Sequence, residues 1–79
     1  MNEIAKLKAL YEKENKYYTE MHDRLNEVIY KLHDEEHTTV AEGKQLKTAK
    51  EMLSMELSYQ TRYLAGIEAA IKELEAQNK

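Results

Sequence analysis

A chain of 79 residues, 34% of them charged and none of them Pro, Cys, Trp or Phe, makes one domain at most and excludes both a disulfide scaffold and a thiolate-based site. The net charge of −3 argues against a general nucleic-acid binder, and no apolar run approaches the roughly 20 residues that cross a bilayer. With only two Gly and no Pro for punctuation, the chain reads as long helices built from Ala, Glu, Lys, Leu and Gln.

In chain order, Asn2 is placed to cap a first helix, with Glu3 at the positive end of its dipole. From there Ile4, Leu7, Tyr11, Glu14, Tyr18, Met21, Leu25, Val28 and Leu32 recur at gaps of three and four. That is a narrow seam of the coiled-coil kind, with Glu14 as its one polar member. Leu10, Tyr17 and Ile29 flank the seam, and Lys6, Lys13, Glu20, Asp23 and Glu27 lie away from it as a solvated surface. Glu12–Lys16, Glu20–Arg24 and Glu27–Lys31 are oriented for attraction one turn apart, at ~0.2–0.5 kcal/mol per pair. The first residues are charged at positions 3, 6 and 8 and lack the apolar core of a signal peptide, so a cytoplasmic setting is expected.

Between His33 and Gly43 the pattern falters. Asp34, Glu35 and Glu36 put acid where the dipole of a helix C-terminus disfavours it, and Thr38-Thr39-Val40 is a run of β-branched residues. Thr39 with Glu42 fits a capping box that opens a second helix at Val40, while Gly43 offers a rival break as the residue that ends the first. The first helix is expected over about residues 3–37, the bend within 37–43 and the second helix over about 40–76. Residues 33–43 hold four acids and no Lys or Arg, so the bend is acidic.

The second helix repeats the spacing through Leu46, Lys50, Leu53, Leu57, Gln60, Leu64, Ile67, Ile71 and Leu74. Met21 and Val28 follow their seam partners by three residues, whereas Leu57, Leu64 and Ile71 follow theirs by four. The seam therefore changes side at the bend, which favours a hairpin over one continuous coil. The expected hairpin core is Leu7, Leu25, Val28, Leu32, Leu46, Leu53, Leu57, Leu64, Ile67, Ile71 and Leu74. Gln60, an amide in an apolar seam, reads as a register-setting residue. Beside the seam the second helix carries Ala49, Met52, Tyr59, Tyr63, Gly66 and Ala70, and the combined arc is about 160° wide, more than one neighbouring helix covers. With Leu10 and Tyr17 this stripe is the expected interface.

Candidate chemistry is sparse. His33-Asp34-Glu35-Glu36-His37 sets two His one helical turn apart and matches the H-x-x-E-H string, yet a third ligand and a cleft are both missing from a two-helix chain. His33 and His37 are therefore kept only as metal candidates, with no cofactor expected. Lys44, Lys47 and Lys50 with Arg62 form a mildly basic strip beside the acidic bend, better read as a solvated face than a phosphate site. Ser54, Ser58 and Thr61 have no His or paired acid nearby to activate them. The bend also lacks the tryptophan-x-glycine turn that marks small helical-hairpin secretion substrates.

The expected fold is all-α: an antiparallel, coiled-coil-like two-helix hairpin spanning residues 1–79, pairing with itself as a homodimeric four-helix bundle. The expected function is a non-enzymatic protein–protein interaction module, a scaffold or adaptor. The alternatives are a small inhibitor whose acidic bend imitates a charged ligand, and a metal-dependent switch at His33 and His37.

Overall fold

The computed structural model describes residues 2–34 and 36–78; Met1, Glu35 and Lys79 lie outside it. Two helices, α1 (Glu3–His33) and α2 (Val40–Gln77), run antiparallel and pack against each other along their length. The molecule is a rod of 60 × 16 × 14 Å. An all-α helical hairpin is thus the architecture, with no strand among the described residues.

Both helix starts follow the expected capping. The Asn2 side chain accepts from the Ala5 N–H at 2.8 Å, and the Thr39 hydroxyl accepts from the Glu42 N–H at 3.2 Å. The Gly43 N–H reaches back to the Thr39 carbonyl at 2.9 Å, so Gly43 lies inside α2 and does not end α1.

The end of α1 differs from expectation. The helix stops at His33 rather than near residue 37, and the connection spans residues 34–39 rather than falling within 37–43. The cause is Thr38, whose hydroxyl donates to the Lys31 carbonyl at 3.1 Å and the Asp34 carbonyl at 2.8 Å. It thereby occupies acceptors that a further turn of helix would otherwise have used. Asp34 leaves helical geometry at φ −92°, ψ 73°, and its carboxylate is 2.9 Å from His37 Nδ1.

The seam of α1 faces inward along its whole length: Ile4, Leu7, Tyr11, Glu14, Tyr18, Leu25, Val28 and Leu32 are half-buried and Met21 is buried. On α2 the inward residues are Leu46, Ala49, Leu53, Leu57, Gln60, Leu64, Ile67, Ile71 and Leu74. Lys50, expected in this seam, is exposed, and Ala49 takes its place. Turning an ammonium group inward would cost more in desolvation than the contact returns, so the helix presents the methyl one residue earlier. Among the described residues only Met21, Leu57, Gln60, Leu64 and Ile67 are buried, and none is fully enclosed. Two rods touching along a line leave each seam residue with one open side. Of the ion pairs expected along α1 none is closed among the described residues; the pairs within 4 Å are Lys8–Glu75, Lys72–Glu68 and His37–Asp34, all solvated. Exposed pairs gain too little to hold two long side chains in one geometry.

Gln60 has the partner across the hairpin that a register-setting residue requires. Its amide donates across the hairpin to the Glu14 carbonyl at 3.0 Å and to Glu14 Oε2 at 2.8 Å. Gln60→Leu is expected to cost about 1–2 kcal/mol, because the half-buried Glu14 carboxylate loses its donor. Glu14→Leu combined with Gln60→Leu is expected to recover that loss and to raise the melting temperature above the parent, at the expense of a unique register. Thermal melts of the two variants with exchange-broadened amide spectra in the double variant check this; equal stability of single and double variants would remove the role.

Candidate interaction surface

The hairpin has two flanks. On one, Tyr11, Asn15 and Tyr18 of α1 face Thr61, Ala65 and Glu68 of α2 across a shallow groove. Tyr18 stacks on His22 there with ring centroids 6.2 Å apart, and the Thr61 hydroxyl is occupied by the Leu57 carbonyl at 2.8 Å. These residues lie on one side of each seam. Those on the other side, Leu10 and Tyr17 on α1 and Met52, Tyr59, Tyr63 and Gly66 on α2, therefore share the opposite flank. Tyr18 and Thr61 line one groove and Gln60 reaches Glu14, so Tyr17 lies beside the stretch of α2 around Tyr59.

That second flank is where the apolar side chains are left open. Met52 is 61% exposed, Tyr59 66%, Tyr63 48% and Tyr17 47%. Ala49, Ala70 and Leu10, expected in the same stripe, are half-buried by the hairpin itself and form its inner edge. Sequence reasoning missed Met55, which is 61% exposed and fills the gap in the stripe between Met52 and Tyr59. Its signal was legible: Met52, Met55 and Tyr59 keep the three-four spacing on their own. Tyr30 and Val40 are also exposed, but away from this stripe. At 100° per residue the stripe is centred about 100° round α2 from the seam, close to the corner angle of a four-helix bundle.

Gly66 is the anomaly of this flank. Glycine in a helix interior costs about 1 kcal/mol relative to alanine. A Cβ added at Gly66 would meet nothing within 4 Å, and its backbone has no positive φ. Nothing within the hairpin calls for glycine there.

The metal candidates are not assembled. His33 is the last residue of α1 and His37 lies beyond the helix, so the one-turn spacing on a shared helical face does not exist. His37 is instead paired with Asp34. Among the described residues no three His, Asp or Glu side chains converge as a metal site would need. The groove at the connection, lined by Lys31, Asp34, His37, Thr38, Glu42 and Gln45 among others, mixes both charge signs. In the connection Asp34 faces His37 at 2.9 Å, and Glu35 lies outside the described residues. No helix among the described residues is long and apolar enough to cross a membrane.

Compared with family models, curated proteins and solved structures, the chain matches none.

Proposed function

We propose that this chain is a non-enzymatic protein–protein interaction module, an oligomerising scaffold or adaptor, that self-associates flank to flank as a homodimeric four-helix assembly. The observation that carries the reading is the open Met and Tyr stripe on α2, five large apolar side chains counting Tyr17 that the hairpin leaves between 47% and 66% exposed. Scattered surface apolar residues need no explanation, but a contiguous stripe at helical spacing on one flank marks an association surface. Tyr and Met suit that role: each offers large contact area, and Tyr keeps a hydroxyl for the wet rim.

The thin core supports the same reading. A chain of this size without disulfides supports only ~3–5 kcal/mol from a single core, and burying a second stripe is the available way to add to it. Self-association then couples folding to concentration. Light scattering after size exclusion, over a dilution series, tests this. A mass of two chains with a melting temperature that rises with concentration is expected. A single-chain mass throughout, with a concentration-independent melt, would overturn it.

A further inference from the structure

Resting on that self-association, we infer that α2 of one copy lies antiparallel on α2 of a second copy, about a twofold axis passing Tyr59. The stripe is its own complement when reversed about that residue. Met52 then faces Gly66 of the second copy, Met55 faces Tyr63, and the two Tyr59 rings meet at the axis. The long Met52 side chain falls where the other helix has no side chain and open space around it. This gives Gly66 the packing reason that the hairpin lacks, since a small residue lets a partner approach closely.

Charge along α2 selects the same direction. Residues 44–62 hold Lys44, Lys47, Lys50 and Arg62 against Glu51 and Glu56, whereas residues 63–77 hold Glu68, Glu73 and Glu75 against Lys72. Of these, Lys44 and Glu73 border the stripe near its two ends, while Glu68 lies on the opposite flank and Glu75 is paired with Lys8; a parallel pair would set Lys44 on Lys44 and Glu73 on Glu73, whereas an antiparallel pair sets each Lys44 beside a Glu73. Lys44 and Glu73, both exposed and both on the outer edge of the stripe, become neighbours across the interface in two symmetric copies.

The area is close to what a specific interface needs. The four half-open Met and Tyr side chains of α2 leave about 470 Å² per protomer if each offers about 200 Å² when free, hence about 950 Å² over two copies against the ~1,000 Å² of a specific interface, and Tyr17 of α1 borders the same flank. Helix α1 does not compete for the central place. Leu10, Tyr17, Arg24 and Lys31 follow one another every seventh residue, with Lys6, Lys13, Glu20 and Glu27 alongside, so that edge is mostly charged and offers two large apolar side chains where α2 offers four. The α2 pair is the centre and the α1 helices flank it.

The absence of cysteine makes single-cysteine cross-linking a clean test. Under mild oxidation Tyr59→Cys is expected to give a disulfide-linked dimer on a non-reducing gel, while Met52→Cys and Gly66→Cys each stay unlinked alone and link when mixed. Self-linking of Met52→Cys as efficient as that of Tyr59→Cys would mean a parallel pair. No linking by any variant, in a protein that light scattering shows to be dimeric, would mean another surface. Either result overturns this arrangement and leaves the self-association standing, whereas a parent protein that stays monomeric at millimolar concentration overturns both. As a second readout, Lys44→Glu is expected to weaken the dimer about fivefold and Lys44→Glu with Glu73→Lys to restore it. A double variant no tighter than either single one would overturn the antiparallel direction.

Discussion

Tyr63→Glu is expected to halve the apparent mass of the protein in solution without unfolding it. Tyr63 is 48% exposed, so the hairpin gives up little of its own packing when the ring is removed. In the proposed dimer the same position is covered, and a carboxylate there must shed water without a partner, at about 2 kcal/mol or more. Twofold symmetry enters the substitution twice, so the loss is about 4 kcal/mol and the dissociation constant rises about a thousandfold. Light scattering reads the mass and far-UV circular dichroism the helicity. An unchanged mass would show that the stripe is not the contact. Loss of helicity together with mass would show instead that the hairpin has no stability apart from its dimer, which a repeat at higher concentration separates by mass action.

The second large effect lies inside the hairpin. Met21→Ala is expected to abolish cooperative folding of the dilute protein. Met21 is the most buried residue described, at 2% exposure, and truncating a buried Met typically costs 2–5 kcal/mol. That is as large as the whole stability a single small core supplies. Tyr30→Ala, removing a side chain that is 77% exposed and outside both stripes, is the control and is expected to change stability by no more than about 0.5 kcal/mol. A melting temperature for Met21→Ala within a few degrees of the parent would mean that the α1–α2 seam is not what holds the fold.

Both effects come from how a two-helix chain distributes apolar surface. One line of contact between rods covers one face of each. Glu14 and Gln60 show how narrow that face is, since each remains beside the apolar seam only by finding the other across it. Whatever apolar surface exceeds one line must stay in water or find another molecule, and α2 carries more of it than α1.

The helices and their inward faces were legible in the amino-acid order because they depend on spacing and local chemistry. Residues three and four apart share a face whatever they pack against, and Asn2 and Thr39 cap through partners three residues away. Other features depended on how distant groups meet. That α1 ends at His33 follows from Thr38 folding back onto Lys31 and Asp34, a competition between a hydroxyl and the next helical turn that periodicity cannot register. That Ala49 and not Lys50 faces α1, and that Gln60 is held by Glu14 46 residues away, required both helices in place. The open flank that includes Met55 is of the same kind. Sequence spacing defines a stripe, but only packing decides which stripe the partner helix covers and which it leaves to water.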